Sequence, residues 1–410
     1  MTSRIALPLV AALAMLLAAC GADGGVRIVA VTAVTGTATP PPPGATPVAG
    51  SPTPPPVDLP RRPDNAFAGG AAVAAYLAGG RANLQRCLPE LERAWQLAPV
   101  TGPRCVALDI DGDGRDELVY LVTLEGQPDQ PGEAWFFDDA AAGFRLFSSA
   151  RALANAILTG VQIVGVAEFT GDGKPEVVIS ARACTPACVT SLVIASTHRG
   201  TIENIAPEGA SLEAAESVKI EDVNGDNLPD IVLRRQATAA VGPGPQRGLA
   251  RVISWTGVRF AATDRPDPPA FLIHLLNDAD AAFRAGDYSR ARSLYERAAT
   301  DTTLRDWKAE IGEFLARREL IPYSWFRAAL AAQRQGDAAA ARQLLARASA
   351  ETGAMHGVAA SFYLAAIDGG RPAQACGDAQ RYLQQFAQAY QRFWDYGYAN
   401  PERGIQALCS

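Results

Sequence analysis

The period of the hydrophobic positions changes twice along the chain. Residues 100–265 contain short aliphatic and β-branched runs, such as 105–108 and 118–122, which predict strands separated by polar turns. After Pro266 the apolar positions recur every three to four residues, which predicts helices to residue 410. Residues 65–99 are rich in alanine and leucine and predict two short helices, which we expect to cap the first edge strand.

The first residues of the chain have the layout of an export signal. Residues 1–19 contain Arg4 and an apolar run that is shorter than the roughly 20 residues of a membrane span. The stretch Leu17-Ala18-Ala19-Cys20 resembles a bacterial lipobox, which implies cleavage before Cys20 and lipidation of that cysteine. The alternative is an ordinary secretory signal followed by a chance cysteine. The resemblance implies a protein that is exported and lipid-anchored at the bacterial cell envelope.

A linker follows the proposed lipidation site. Residues 20–64 begin with Cys20 and become dominated by proline, threonine, glycine and alanine. Such a composition cannot bury a hydrophobic core, and it predicts a semi-rigid, extended tether. Residues 1–64 are therefore expected to contribute export, a membrane anchor and a spacer, and no folded domain.

An acidic loop occurs three times between predicted strands. Oxygen-bearing side chains stand at loop positions 1, 3, 5 and 9, and residues that favour turns stand at positions 4 and 6. The candidate metal ligands of the first copy are Asp109, Asp111, Asp113, the carbonyl of Arg115, and Glu117. Those of the second copy are Glu168, Asp172 and Glu176, with Thr170 at position 3. Those of the third copy are Asp222, Asn224, Asp226 and Asp230.

This arrangement of oxygens suits a structural Ca²⁺ ion. Calcium takes about six to eight oxygen ligands, which alternate residues of a tight loop can supply. An EF-hand shares the opening of the first copy, but it requires a glutamate at position 12 and helical flanks. Position 12 is Tyr120 in the first copy and Leu233 in the third, and the flanks predict strands. The alternative is that these loops are turns whose Asp and Asn side chains bond their own backbone.

Strand, acidic loop and strand in succession resemble the FG-GAP or VCBS repeats of integrin-type β-propellers over residues 102–262. The resemblance implies three four-stranded blades, with calcium in the loop of each blade. Closed propellers usually have about four to eight blades, so we expect a propeller-like open arc. The alternative is closure through a second chain. The predicted later strands of the blades are residues 134–138, 144–148, 189–196, 201–205, 249–255 and 258–262.

The helical part resembles tetratricopeptide repeats. Small and aromatic residues surround Gly286-Asp287 in the first helix pair and Gly336-Asp337 in the second, and a degenerate third pair spans residues 357–394. An extra helix is predicted around residues 305–318. The resemblance implies a groove for a protein or peptide, and the alternative is that the helices only brace the blades. The predicted fold is a multidomain β plus α chain with boundaries at 1–19, 20–64, 65–99, 100–265 and 266–410.

Cysteine usage agrees with export. The chain has seven cysteines, and lipidation of Cys20 leaves an even number. Proximity in sequence favours three disulfides among the fifteen possible connectivities of six cysteines, an assignment that spacing alone does not fix. The favoured pairs are Cys87 with Cys105, Cys184 with Cys188, and Cys376 with Cys409.

The sequence favours binding over catalysis. The three histidines are not spaced as metal ligands, and no nucleophile elbow or phosphate loop is present. The net charge of −6 argues against nucleic-acid binding. We therefore expect a non-catalytic envelope lipoprotein used for protein binding or scaffolding. The alternatives are a carbohydrate or cell-wall binder, and an assembly or secretion factor that takes client peptides.

Overall fold

The computed structural model describes residues 58–79, 87–100, 102–123, 132–140, 143–184, 188–312 and 316–410. The predicted signal peptide, Cys20 and most of the predicted linker lie outside the described residues. The described chain has β-sheets in its N-terminal part and an all-helical C-terminal region, as the hydrophobic pattern predicts. None of its helices within these residues combines the length and apolar character that crossing a membrane requires.

Three larger antiparallel sheets follow one another within the described residues. The first contains β1 (Cys105–Leu108), β2 (Glu117–Val122), β3 (Glu133–Ala140) and β4 (Gly143–Ser149) in sequential order. After helix α3 (Ala150–Ala154), the second contains β5 (Gln162–Ala167), β6 (Glu176–Cys184), β7 (Cys188–Ser196) and β8 (Glu203–Asn204), and β9 (Ser211–Glu213) also pairs with β7. The third contains β10 (Ser217–Glu221), β11 (Asp230–Arg235), β14 (Leu249–Trp255) and β15 (Phe260–Pro266).

The sheets share two apolar layers. One layer joins Val119 and Phe136 of the first sheet to Ile179 of the second. The other joins Ile194 of the second sheet to Ile253 of the third. Because successive residues of a strand point to opposite faces, the middle sheet needs apolar residues on both faces, and the unbroken apolar run of β6 supplies them.

Helices cover the remaining face of the first sheet. Helices α1 (Gly70–Ala78) and α2 (Pro89–Trp95) pack on residues of β1, β2 and β3, and the Trp95 and Trp135 ring centroids are 6.3 Å apart. Helix α1 also packs against β4, one edge strand of this sheet, and the Cys87–Cys105 disulfide joins the segment before α2 to β1, the other edge strand. Strand β2 is buried on both sides, so its second face requires a cover.

The helical region consists mainly of antiparallel pairs. The pairs are α4 (Leu272–Arg284) with α5 (Tyr288–Thr300), α7 (Ala316–Arg334) with α8 (Ala338–Ser349), and α9 (Met355–Asp368) with α10 (Pro372–Gln384). The single-turn helix α6 (Trp307–Glu310), helix α11 (Ala387–Trp394) and a 3-10 turn at Ile405–Ala407 complete it. Asp287 and Asp337 cap α5 and α8 by accepting hydrogen bonds from the backbone N–H of Arg290 and Ala340, both 3.0 Å long.

The predicted extra helix at residues 305–318 is not formed as one element. Helix α6 ends at Glu310, and α7 already begins at Ala316 and continues through Pro322. The second predicted helix pair therefore begins before Trp325, which is the first residue of the sequence pattern that predicts it. Pro322 lies inside α7, where its missing N–H removes one backbone hydrogen bond from the helix.

The C-terminal segment, residues 395–410, lies across the helix pairs. Arg327 of α7 donates to the Leu408 carbonyl at 2.7 Å, and Gln380 of α10 donates to the Gln406 carbonyl at 3.1 Å. The disulfide between Cys376 and Cys409 fixes the end of this segment. A surface of the helical region that would otherwise be open to a partner is thus covered by the chain itself.

The structure contains the three favoured disulfides. Cys87 and Cys105 join the segment before α2 to β1, and Cys184 and Cys188 close the turn between β6 and β7. These links accompany the Cys376–Cys409 bond described above. Disulfides persist in oxidising environments, so the three bonds are a weak indication of such a compartment.

A hairpin that the sequence did not predict connects the sheets to the helices. Strands β12 (Thr238–Ala240) and β13 (Gly244–Gln246) pair between β11 and β14. The Trp307 indole donates to the Ala239 carbonyl at 3.1 Å, and the Tyr398 backbone N–H donates to the Gly242 carbonyl at 3.1 Å. His274 of α4 bonds through Nε2 to the Pro245 carbonyl at 3.1 Å.

His274 makes stability depend on pH. Its burial lowers its pKa from 6.5 to about 4, so the unfolded chain binds more protons than the folded one between these values. The stabilisation from the neutral imidazole is complete above pH 6.5 and is lost as pH falls toward 4. We expect the free energy of unfolding to drop by roughly 2 kcal/mol from this group between pH 7 and pH 5.

The matched variant His274→Gln removes this titration and keeps a donor for Pro245. Urea unfolding at both pH values should show that the stability advantage of the wild type over His274→Gln shrinks by that amount at pH 5. An advantage that stays constant between the two pH values would show that His274 does not titrate in this way.

Candidate functional site

The three acidic loops occupy equivalent places in the three sheets. Loop 1 (residues 109–117) joins β1 to β2, loop 2 (168–176) joins β5 to β6, and loop 3 (222–230) joins β10 to β11. The paired residues that flank them are Leu108 with Glu117, Ala167 with Glu176, and Glu221 with Asp230. The position 9 carboxylate is therefore the first residue of the second strand in each loop, which holds its backbone in place.

The loops share a hydrogen-bond pattern. The carboxylate at position 9 accepts from the backbone N–H at position 2 over distances of 2.8, 2.9 and 3.0 Å in loops 1, 2 and 3. The side chain at position 1 accepts from the backbone N–H at position 4, and that at position 5 accepts from position 7. Asn227 takes a φ of 69°, the left-handed conformation expected at position 6. Each chain reversal is thus stabilised by its own side chains.

Loop 1 gathers carboxylates most closely. Oxygens of Asp109, Asp111 and Glu117 lie within 4.8 Å of one another, whereas the Asp113 carboxylate accepts from the Arg115 N–H at 2.9 Å. Glu117 is only 2% exposed, and its Oε1 is buried without a hydrogen-bond partner among the described residues. Burial and the neighbouring Asp111, Asp113 and Asp109 raise the pKa of Glu117 to about 7. A cation in this group would relieve both the desolvation and the repulsion.

Loop 2 satisfies its carboxylates with protein groups instead. Glu176 Oε1 accepts from the Ser196 hydroxyl at 3.0 Å and from the Thr170 hydroxyl at 3.4 Å. His198 Nδ1 lies 2.8 Å from Asp172 Oδ2. Glu168 accepts from the backbone N–H groups of Thr170 and Gly171. In loop 2, these protein donors bind the carboxylate oxygens that a cation would bind in the other loops.

Loop 3 is intermediate between the other two. Asp222 accepts from the backbone N–H groups of Gly225 and Asn227 at 2.7 and 3.0 Å. The Asn224 side-chain amide donates to Asp226 at 2.9 Å and to Asp230 at 3.4 Å. An amide donor offsets part of the negative charge, yet the same side chain can offer its oxygen to a cation. Loop 3 therefore retains four oxygen-bearing side chains at the ligand positions.

Sequence reasoning missed the residues that close loop 2. Ser196 and His198 come from the end of β7, outside the repeated motif, and the Thr197 hydroxyl donates to the Ile110 carbonyl of loop 1 at 2.5 Å. The only sign of this difference in the sequence is that loop 2 has glutamate at position 1 and threonine at position 3, where loop 1 has aspartate at both positions. Contacts between successive sheets cannot be read from a motif within one sheet.

The aromatic side chains near the C-terminus divide between core and surface. Tyr390, Trp394 and Tyr396 are buried in the helical core, whereas Phe386 and Tyr398 are exposed. Most of this aromatic density is therefore helix packing. Tyr398 stands at the junction between the hairpin β12–β13 and the helices, where its ring faces solvent.

Comparison with known proteins does not assign the chain to a family. No protein-family profile matches it, and no curated protein sequence matches it significantly. The function must therefore be argued from the geometry of the loops and the surrounding structure.

Proposed function

We propose that this protein is a non-catalytic lipoprotein of the bacterial cell envelope, whose propeller-like arc of three FG-GAP/VCBS-like blades is stabilised by calcium. The observation that carries the proposal is the buried Oε1 of Glu117, which lies beside Asp109 and Asp111 and has no hydrogen-bond partner in the described part of the chain. A buried carboxylate oxygen without a donor is costly, and a bound cation removes that cost. A calcium titration of the full chain that detects no bound ion would contradict this proposal.

The donor set favours calcium among the common divalent cations. Loop 1 offers carboxylate oxygens and backbone carbonyls, including that of Arg115, without a histidine or cysteine ligand. Hard oxygen ligands suit calcium and magnesium, and the flexible, high coordination of calcium suits a loop better than strict octahedral geometry does. Loops 1 and 3 are the proposed sites. Loop 2 is held by Ser196 and His198 and needs no ion.

An open arc fits the covered outer face of the first sheet. Helices α1 and α2 lie on that face, and the hairpin β12–β13 connects the third sheet region to the helices. The covered face leaves no room for a further blade on that side of the first sheet. The TPR-like helices would then both brace the arc and offer protein-binding surface that the C-terminal segment leaves free.

Lipid anchoring makes a direct prediction about Cys20. The wild-type chain expressed in a bacterial host should incorporate labelled fatty acid and sediment with the membrane fraction. Cys20→Ser should lose the label and appear in the soluble or secreted fraction, because a single cysteine carries the lipid. The control Cys184→Ser/Cys188→Ser keeps Cys20 and should still sediment with membranes. Membrane association of Cys20→Ser equal to that of the wild type would exclude the anchor.

A further inference from the structure

A cavity of about 420 Å³ lies between residues 198–208, which contain β8 of the second sheet, and the hairpin of β14 and β15 in the third sheet. Ligand pockets have volumes of about 300–1,000 Å³, so the space is sufficient for a small ligand. The three acidic loops, all of whose residues the structure describes, do not line this cavity. It is therefore a separate candidate site.

Part of the cavity lining is apolar and open to water. The Trp255 and Phe260 ring centroids are 5.3 Å apart, and those of Trp255 and His198 are 5.5 Å apart, so three lining rings form a continuous row. Val258, in the turn of the β14–β15 hairpin, also lines the cavity and is 76% exposed. This lining suits an apolar ligand group, because covering it would remove apolar surface from water.

Two of the ionisable side chains that line the cavity already have partners. His198 Nδ1 lies 2.8 Å from Asp172 Oδ2 of loop 2. Arg199 forms an ion pair with Glu203 at 3.4 Å. Neither His198 nor Arg199 needs a ligand to balance its charge.

The other two charged side chains of the lining are unpaired. Arg259 and Glu208 are exposed, and neither side chain forms an ion pair or a hydrogen bond with a described residue, including each other. Opposite charges therefore border one cavity without neutralising one another. A ligand with both a carboxylate and an ammonium group can pair with both charges, whereas a ligand with one charge leaves the other unpaired.

We propose that this cavity binds a free α-amino acid with an apolar side chain. The ligand carboxylate would pair with the Arg259 guanidinium, whose planar fork matches a carboxylate, and the ligand ammonium group would pair with Glu208. The ligand side chain would pack on the row of rings and on Val258. The proposal goes beyond a scaffolding role, and it rests neither on calcium binding by the loops nor on lipid anchoring.

The test is calorimetric titration of the full chain with four probes. Phenylalanine carries both charges and an apolar group. Phenylacetate lacks the ammonium group, phenethylamine lacks the carboxylate, and glycine lacks the apolar group. We expect phenylalanine to bind at least about fivefold more tightly than each other probe, because each of them lacks one of the three proposed contacts.

Two variants assign the two charges separately. In Arg259→Gln the advantage of phenylalanine over phenethylamine should disappear, because that advantage comes from the ligand carboxylate. In Glu208→Gln the advantage of phenylalanine over phenylacetate should disappear, because that advantage comes from the ligand ammonium group. The matched control is Arg265→Gln, which changes an exposed arginine of β15 that lies outside the lining and has no ion pair among the described residues. It should bind phenylalanine as the wild type does.

Four outcomes would overturn the proposal. They are no binding of phenylalanine at millimolar concentration, binding of another probe as tight as that of phenylalanine, an advantage that persists in its matching variant, and an equal loss in Arg265→Gln. Equal binding of phenylacetate would indicate an anion site instead. Thermal unfolding followed by circular dichroism establishes that each variant is folded. If a variant does not fold, the comparison of the four probes on the wild type decides the result.

Discussion

Asp280→Ala is expected to destabilise the helical region by about 3–5 kcal/mol. Asp280 is 6% exposed and accepts from Arg403 Nε at 2.9 Å and from the Tyr323 hydroxyl at 3.3 Å. The Arg327 guanidinium lies 3.8 Å from the same carboxylate. Removing Asp280 would leave two buried guanidinium groups without their carboxylate, which costs more than the loss of an exposed ion pair.

The same change should loosen the C-terminal segment. Arg403 belongs to that segment, and Arg327 also donates to the Leu408 carbonyl. Urea unfolding of the full chain would measure the loss of stability, and faster hydrogen exchange in residues 395–410 would report the loosening. Asp368→Ala is the matched control, because its partner Arg342 is exposed and such pairs contribute about 0–1 kcal/mol. A loss in Asp280→Ala no larger than in this control would contradict the assigned role of the network.

Asp109→Ala/Asp113→Ala is expected to reduce the thermal stabilisation by calcium. An ion that binds only the folded chain adds about 4 kcal/mol at a thousandfold excess over its dissociation constant. Because Asp109 also accepts from the backbone N–H groups of Gly112 and Gly114, the variant should be less stable even without calcium. The informative quantity is therefore the difference in thermal midpoint with and without calcium.

A matched control separates loop 1 from loop 2. Glu168→Ala/Asp172→Ala removes the same number of carboxylates from loop 2, where Ser196 and His198 act as internal donors. Its calcium-dependent rise in midpoint should equal that of the wild type. Adding Asp222→Ala/Asp226→Ala to the loop 1 variant should abolish the rise. A full rise in the loop 1 variant would mean that calcium stabilises the protein elsewhere.

Local sequence patterns predicted much of the fold. Each acidic loop lies between two strands because its apolar flanks have strand composition and its Gly and Asn residues permit left-handed turns. The Gly-Asp dipeptides at 286–287 and 336–337 predicted the turns between helices, and in the structure each aspartate caps the helix that follows. These features depend on residues close in sequence, so one motif contains the information.

Features that depend on distant residues could not be read in this way. Strands β12 and β13 are short and partly exposed, and their hairpin is held by contacts with residues such as Trp307. The helices at residues 70–95 cover the second face of the first sheet because β2 is buried on both sides. The position of the C-terminal segment depends on Arg327 and Cys376, many residues earlier in the chain. For the same reason His198 was not foreseen as a partner of loop 2.

The most direct test of the account is the stoichiometry of calcium binding to the full chain. Equilibrium dialysis at neutral pH against labelled calcium counts the bound ions without depending on stability. We expect one ion in loop 1 and one in loop 3. The loop 1 ion should be lost in Asp109→Ala/Asp113→Ala, and the loop 3 ion should be lost in Asp222→Ala/Asp226→Ala. No bound calcium at millimolar concentration, or a stoichiometry that neither variant changes, would contradict the central claim that these loops are cation sites.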